Sequence, residues 1–130
     1  MKKQIVEKID KLPKAVGPYS SAVRSGEYIF LSGQIPINPE TNQLIESDIE
    51  KQTHQVLTNI KNFLLDNGFD TSDVIKTTVF IKNMDHFPKI NEIYSTYFNS
   101  PYPARSLVEV SRLPKDVMIE IECIISGSFK

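Results

Sequence analysis

The stretch PARSLVEVSRLPKDVMIEIE, residues 103–122, predicts two extended segments joined by a proline-containing break. Side chains in a strand alternate between its two faces. The first segment therefore places Arg105, Leu107 and Glu109 on one face. The second segment alternates more strictly, with apolar side chains on one face and carboxylates, Glu120 among them, on the other. A guanidinium and several carboxylates are thus held at defined positions on extended backbone.

The side chains of these segments have a functional and a structural interpretation. An arginine presents a rigid fork of donors that matches a carboxylate or a phosphate. A glutamate held nearby can relay a proton or hold a water. An alternating Ile-Glu run is equally typical of a half-buried strand whose carboxylates face solvent. From spacing alone, both interpretations stay open for Arg105 and Glu120.

The composition describes one globular domain over residues 1–130, with 40% hydrophobic and 24% charged residues. A formal charge of −1 argues against a protein that grips nucleic acid by its phosphates. The single cysteine allows no intrachain disulfide and suits a reducing compartment. The sequence shows no apolar run of signal-peptide or membrane-span type. We therefore expect a cytoplasmic protein with no membrane partner.

Hydrophobic periodicity and turn residues predict the order strands, helix, strand, helix, strands. Besides the two segments above, the predicted strands cover residues 4–8, 19–24, 27–32 and 73–82. The pair at 19–24 and 27–32 flanks a Ser25-Gly26 turn. The run of apolar residues from Tyr28 to Leu31 predicts a strand that is buried on both faces.

Two amphipathic helices are predicted between these strands. The first begins at Ser47, which has Glu50 at capping-box spacing, and ends at Gly68. The second begins at residues 83–85 and carries Pro88 in its first turn. Both helices have a broad apolar face for packing against a sheet.

This order of elements predicts an α+β fold in which one mixed sheet carries both helices on one face, with one right-handed crossover. The other face of the sheet would still carry isoleucine, valine and leucine. A chain of 130 residues leaves nothing to cover it. An exposed apolar sheet face is a candidate interface. We therefore expect a homo-oligomer whose sheets face inward.

The sequence contains no motif for a cofactor or a metal. It has no glycine-rich phosphate loop and no Cys/His cluster of zinc-binding spacing. His54 and His86 fall in predicted helices without a partner at ligand spacing. Cys123 falls on the apolar face of the last strand, where a thiol is inert. An enzyme built from this chain is expected to use Arg, Glu, Tyr and backbone N–H groups alone.

Several blocks of the sequence resemble the RidA family, also called the YjgF family. The blocks are VGPY (16–19), SGQIP (32–36), KTTVFIK (76–82), INEIY (90–94) and the opening stretch at 103–122. The last block is the most specific. The blocks occur in family order and cover nearly the whole chain.

The resemblance implies a chorismate-mutase-like fold and a homotrimer whose sheets line a central barrel, with ligand clefts between subunits. It implies hydrolysis of 2-imino acids such as 2-iminobutanoate and 2-iminopropanoate, or their enamine tautomers, to 2-keto acids and ammonia. Pyridoxal-phosphate enzymes release these intermediates, and the family itself uses no cofactor.

Two other functions stay open beside the deaminase. One is a regulatory protein that binds a keto acid or a similar small carboxylate. The other is RNA cleavage, against which the near-neutral charge and the lack of a basic and aromatic cluster argue.

The resemblance also assigns catalytic roles. Arg105 would grip the substrate carboxylate, and Glu120 would hold and polarise the attacking water. We hypothesise that the pKa of Glu120 is raised, because a cleft that contains Leu107 and Tyr19 desolvates it, while Arg105 acts in the opposite direction.

The resemblance places further residues in substrate binding. Tyr19 would line the cleft, from the same or the adjacent subunit, and Ser32, Gly33 and Asn91 match positions near it. One position departs from the family. Many members have a cysteine two residues after the arginine, whereas this chain has Leu107. The leucine changes the volume and the polarity of the cleft.

Overall fold

The structure, a computed structural model, describes residues 2–127 as eight strands and two α-helices. The elements are β1 (Gln4–Ile5), β2 (Ala22–Ser25), β3 (Tyr28–Gln34), β4 (Ile37–Asn38), β5 (Gln43–Leu44), α1 (Ile49–Asp66), β6 (Val74–Ile81), α2 (Phe87–Tyr97), β7 (Ala104–Glu109) and β8 (Ile119–Ser126). Six strands form one mixed sheet in the order β1-β2-β3-β8-β6-β7, and β4 and β5 form a separate hairpin. The predicted α+β class is confirmed.

The core lies between the sheet and the two helices. In β8, Ile119, Ile121, Cys123 and Ile125 are buried while the residues between them are less so. The strict alternation that the sequence shows over this strand therefore decides which face packs under the helices. Burial of each large aliphatic side chain contributes about 1.5–3 kcal/mol to folding. Burial also raises the pKa of the Cys123 thiol to about 12, which leaves it un-ionised and inert at neutral pH.

The sheet ends in a parallel pair, β6 and β7, which are connected through α2. Thr77 of β6 lies opposite Arg105 of β7 in this register. Paired residues on neighbouring strands point to the same face. Thr77 is buried against Tyr94 of α2, so Arg105 also points toward the helices.

The helix boundaries correct two sequence predictions. α1 begins at Ile49, and the side chain that caps it is that of Asp48, which accepts a hydrogen bond from Lys51 N at 2.9 Å. The predicted cap, Ser47, lies one residue too early, since Asp48 already has the extended backbone of an N-cap. α2 begins at Phe87, because residues 84–86 form a 3₁₀ turn. The predicted end of α1 is confirmed, with Gly68 at φ +80°.

The prediction that β3 is buried on both faces is wrong. Ile29 and Leu31 are buried, but Tyr28 and Phe30 are exposed, at 48% and 44%. Buried and exposed side chains alternate along this strand although all four are apolar, because the helices form one layer and cover only one face of the sheet. Sequence reasoning also missed the β4–β5 hairpin, whose strands are two residues each.

The face of the sheet opposite the helices is apolar at its centre. Phe30 lies between Val23 of β2 and Ile124 of β8 in the register. We call the surface formed by Val23, Phe30 and Ile124 the open face. No element within residues 2–127 packs over it. Neither described helix has the length and apolar character needed to cross a membrane.

Candidate functional site

Arg105 lies on β7, the edge strand of the sheet, with its guanidinium against α2. Its Cζ is 4.9 Å from the centroid of the Tyr94 ring and 5.7 Å from that of the Phe87 ring. Its Nη1 donates a hydrogen bond to Asn91 Oδ1 at 2.8 Å. The side chain is thus held by aromatic faces and by one acceptor, and no carboxylate within residues 2–127 forms an ion pair with it.

The contacts to Arg105 follow from the helical spacing of α2. Phe87, Asn91 and Tyr94 are four and three residues apart, so they lie on one side of the helix. Tyr94 is 5% exposed, and its hydroxyl is 2.8 Å from Thr77 Oγ1. Burial raises the pKa of the Tyr94 hydroxyl, and the hydrogen bond with Thr77 and the charge of Arg105 oppose the rise in part. The phenol therefore stays neutral beside the guanidinium.

A cavity of about 360 Å³ lies beside the guanidinium of Arg105. Its other lining residues are Asn91, Tyr94, Ser95, Tyr102 and Pro103. The cavity therefore combines one cation with two aromatic rings and small polar groups. Leu107 is two residues farther along β7, on the same face, and is half-buried against the hydrophobic core.

Glu120 lies on the other face of the sheet. It is opposite Phe80 of β6 in the register, and Phe80 is three residues from Thr77. Because strand side chains alternate, residues three apart on β6 point in opposite directions. Glu120 therefore points away from the helices, while Arg105, opposite Thr77, points toward them. Within the described chain, the two predicted catalytic side chains do not meet.

The Glu120 carboxyl is packed against the backbone of β3. A Cβ placed on Gly33 would be 2.8 Å from Glu120 Cδ and closer still to Oε2. The register between β3 and β8 shifts between Leu31 and Gln34, which is where Gly33 lies. A bulge of this kind redirects side chains and is common at functional sites. The glycine leaves the space that the carboxyl occupies.

The pKa of Glu120 is raised, as the sequence analysis hypothesised, but the causes differ. Burial is the larger cause, and the nearby charge of Glu122 is the second. Arg105 and Leu107 lie on the other face, so the expected opposition by Arg105 and desolvation by Leu107 are wrong for a single chain. A carboxyl with a raised pKa exchanges protons closer to neutral pH, which suits proton transfer.

Tyr19 and Ser32 line a second cavity, of about 540 Å³, together with Glu122. Tyr19 is exposed in the loop before β2, and its hydroxyl accepts a hydrogen bond from Val16 N at 3.5 Å. Ser32 Oγ donates to Ser20 O at 2.6 Å, which ties this loop to β3. The cavity opens on the same face as Glu120.

The predicted site residues thus fall into two groups. The first, which we call the arginine half-site, consists of Arg105, Asn91 and Leu107 on the helix face at the sheet edge. The second, which we call the glutamate half-site, consists of Tyr19, Ser32, Gly33 and Glu120 around β3 and β8. The arginine half-site contains a guanidinium beside a cavity, and the glutamate half-site contains a carboxyl whose pKa is raised.

Sequence reasoning missed Phe87 and Tyr94 as partners of Arg105, since both look like ordinary core residues. Their spacing to Asn91 on a helix that precedes the arginine strand is the signal that could have indicated them. Glu109, on the same strand, accepts a hydrogen bond from Met84 N at 2.8 Å and so holds the turn before α2. Its role is structural.

The remaining candidates lie away from both half-sites. A groove of about 670 Å³ between β5 and α1 contains none of the predicted site residues. His54 borders this groove, and its Nδ1 is 3.0 Å from the Tyr97 hydroxyl. Among the described residues, no group of three or more His, Cys, Asp or Glu side chains is arranged to hold a metal ion.

Known proteins resemble this chain in both sequence and fold. The sequence model of a family described as Endoribonuclease L-PSP matches residues 9–126. A RutC family protein of Pyrococcus horikoshii is 53% identical over 115 residues, which are 88% of this chain and 91% of that protein. The 2-iminobutanoate/2-iminopropanoate deaminase of Escherichia coli K12 is 45% identical over 118 residues, 88% of this chain and 91% of that protein. The crystal structure of RidA from the Antarctic bacterium Psychrobacter sp. PAMC 21119 is 39% identical, with a TM-score of 0.89 over 95% of this chain and 99% of that one.

Proposed function

Because the chain belongs to the Endoribonuclease L-PSP family, also known as the RidA or YjgF family, we propose that it hydrolyses reactive 2-imino acids to 2-keto acids and ammonia. We take 2-iminobutanoate and 2-iminopropanoate as its substrates, by analogy with the named E. coli relative. The observation that carries the proposal is the guanidinium of Arg105, which is held in place at a cavity and has no carboxylate partner within residues 2–127.

Arg105 supplies the binding step of the proposed reaction. A 2-imino acid carries a carboxylate next to its C=N carbon, and an arginine fork binds a carboxylate through two parallel hydrogen bonds. Asn91 occupies Nη1 of the guanidinium, so donors remain for the substrate. Anchoring the carboxylate fixes the imine carbon relative to a held water, which lowers the barrier by positioning.

Glu120 supplies the proton transfers. With the imine nitrogen protonated, the Glu120 carboxylate accepts a proton from water as the water oxygen bonds to the imine carbon and the C=N π pair moves to nitrogen, which gives a neutral tetrahedral carbinolamine. The carboxyl returns that proton to the amine nitrogen. The C–N bond then breaks and ammonia leaves, while the carbinolamine hydroxyl gives its proton to the Glu120 carboxylate and the C=O bond of the keto acid forms. General acid–base catalysis of this kind contributes about 10²–10⁴-fold. All atoms come from the imine and one water, and no cofactor takes part.

The two half-sites meet only if a second copy of the chain is present. We propose a homotrimer in which the open face is covered by neighbouring subunits and the arginine half-site of one faces the glutamate half-site of the next. Two features support this assembly. Arg105 and Glu120 lie on opposite faces of one sheet. Phe30, at the centre of the open face, is 44% exposed in the single chain.

A coupled assay tests the activity. Threonine dehydratase generates 2-iminobutanoate in situ, and 2-ketobutyrate formation is followed with and without the protein. We expect the wild type to speed the appearance of the keto acid and Arg105→Ala to abolish this effect. Arg112→Ala is the matched control, because Arg112 is exposed and pairs only with Asp116 among the described residues. No acceleration by the wild type with short or long imines would refute the deaminase proposal.

The assay also separates the alternatives. Retained binding of 2-ketobutyrate without turnover in the wild type would favour a regulatory carboxylate-binding protein, because Arg105 is already positioned within one chain. Cleavage of RNA that survives Arg105→Ala in a nuclease-free preparation would favour the endoribonuclease activity for which the family is named. The formal charge of −1 argues against that outcome.

A further inference from the structure

We propose that Tyr94 is a positioning residue for Arg105, and that Tyr94 and Asn91 together determine how tightly the site holds a carboxylate. This inference rests on the proposed function for the role of Arg105 as the anchor. It assigns to Tyr94 a part in substrate affinity that neither the sequence motifs nor the family resemblance indicates, and it gives Asn91 a specific task beside Arg105.

Contacts with Tyr94 and Asn91 restrain the position and the rotation of the Arg105 guanidinium. The Tyr94 ring lies 4.9 Å below Cζ, within the range of a cation–π contact, and so restrains where the guanidinium plane lies. Asn91 Oδ1 binds Nη1 at 2.8 Å and so restrains its rotation. A two-point contact to a carboxylate needs both restraints, since the fork must present two N–H groups along one edge.

Tyr94 is itself held by two contacts, one at its hydroxyl and one at its ring, so it can act as a fixed support. Its hydroxyl is 2.8 Å from Oγ1 of the fully buried Thr77. Its ring contacts that of Phe98, with 4.6 Å between centroids. Thr77 lies directly opposite Arg105 in the register of β6 and β7. The ring and the cation are therefore both anchored on the same pair of strands.

The chain supplies a matched control on the same helix. Tyr97 lies one turn beyond Tyr94, and its hydroxyl bonds with His54 and Thr58 of α1 instead of the sheet. Among the described residues, the guanidinium of Arg105 contacts Phe87, Tyr94 and Asn91, and neither the ring nor the hydroxyl of Tyr97 takes part. The same substitution at the two tyrosines therefore disturbs helix packing in both cases but the guanidinium in only one.

The first experiment compares Tyr94→Leu, Tyr94→Phe, Tyr97→Leu and Tyr97→Phe in the imine assay and in 2-ketobutyrate binding by calorimetry. We expect Tyr94→Leu to raise KM and Kd about tenfold, with kcat within about twofold, because a lost cation–π contact weakens binding by this order. Tyr94→Phe keeps the ring and should restore KM to within about twofold. Equal KM values for Tyr94→Leu and Tyr97→Leu would overturn the inference.

The second experiment compares 2-ketobutyrate binding by two variants of Asn91, one that adds a negative charge and one that does not. Asn91→Asp has the same shape but adds an anion beside the guanidinium, which competes with the substrate carboxylate. Asn91→Leu removes the acceptor without adding charge. If Asn91 acts on substrate affinity through Arg105, the isosteric variant raises Kd more than the leucine variant. A purely structural residue would give the reverse order, and that result would overturn the inference.

A third measurement needs no substrate, and so it stands apart from the proposed function. The Nε–Hε signal of Arg105 is assigned by its absence in Arg105→Ala, and its exchange with water is measured by NMR. We expect exchange about tenfold faster in Tyr94→Leu than in Tyr97→Leu, in keeping with loss of one restraint. Unchanged exchange in Tyr94→Leu refutes the positioning role. Faster exchange with no imine hydrolysis in the wild type refutes the deaminase and keeps the positioning role.

Discussion

The carboxyl of Glu120 occupies the space that a Cβ at position 33 would need, so Gly33 and Glu120 are packed in direct contact. The contact joins a bulge in β3 to the strand that carries the proposed proton-transfer group. A glycine at this position is therefore explained by the neighbouring side chain, since its backbone is not in the left-handed region.

This contact predicts the effect of Gly33→Ala. The added methyl group must push the flexible end of Glu120 aside, so we expect kcat for imine hydrolysis to fall about 10²-fold or more, toward loss of the acid–base contribution. The free energy of unfolding should change by less than about 1 kcal/mol, because a side-chain end moves at low cost. Gly127→Ala is the control, since its methyl would meet the Phe69 ring at 2.9 Å, away from the site. Unchanged kcat in Gly33→Ala would contradict the role of Glu120.

The raised pKa of Glu120 predicts the pH dependence of the reaction. The carboxylate form accepts the proton from water, so we expect the rate to rise with pH through the Glu120 pKa, above its ordinary value of 4.5. Glu122→Gln removes the nearby negative charge, which is the second cause of the raised Glu120 pKa. The rise of the rate with pH should therefore occur at lower pH in this variant. A rate that is flat from about pH 5 to 8 in both proteins would count against Glu120 as the titrating group.

The same pKa predicts a stability effect. A carboxyl whose pKa is higher in the folded than in the unfolded state favours folding most below the unfolded pKa, and this contribution is lost as pH rises through the folded pKa. Glu120→Gln removes the titration. We therefore expect its free energy of unfolding, relative to the wild type, to increase between about pH 4 and pH 7. Urea denaturation at several pH values measures this, with the same substitution at the exposed Glu40 as the matched control.

The separation of Arg105 and Glu120 on two faces predicts complementation between inactive variants. Arg105→Ala and Glu120→Gln should each be inactive, but if the proposed homotrimer forms, unfolding and refolding them together should give mixed trimers with intact sites. With random mixing of equal amounts, about one site in four should receive both native residues, because each proposed site takes one residue from each of two neighbouring subunits. A mixture that stays inactive while light scattering shows a trimer would mean that the site is built differently.

Substitution of Gln52 in α1, away from both half-sites, should lower the free energy of unfolding strongly. Its buried side chain accepts a hydrogen bond from Met118 N and donates to Ile45 O and Glu46 O. Gln52→Leu removes the side-chain partner of Met118 N and of Ile45 O, while Glu46 O keeps its hydrogen bond from Asp48 N, and should cost about 2–4 kcal/mol in urea denaturation. Gln55→Leu, on the same helix, removes one hydrogen bond, to Oδ1 of the buried Asn59, and should cost about 1 kcal/mol. Similar costs for the two variants would contradict the bridging role.

Several features could be predicted because their causes are local. The alternation of β8 follows from its own residues, and the end of α1 follows from Gly68. The start of α1 was placed one residue early, because Ser47 and Asp48 are both good caps and only the backbone conformation selects between them. The burial of Phe30 could not be judged from its neighbours, since exposure depends on which layers the chain builds.

Sequence alone was enough to predict the six strands of the main sheet, the two helices and the presence of Arg105 and Glu120 on extended backbone, because alternation and helical spacing are properties of consecutive residues. Only the tertiary structure decided which side of the sheet each residue faces and what it meets there. The parallel register of β6 and β7 turns Arg105 toward Tyr94 and Asn91. The bulge in β3 brings Gly33 to Glu120. These contacts join residues far apart in the chain, and strand pairing is what brings them together.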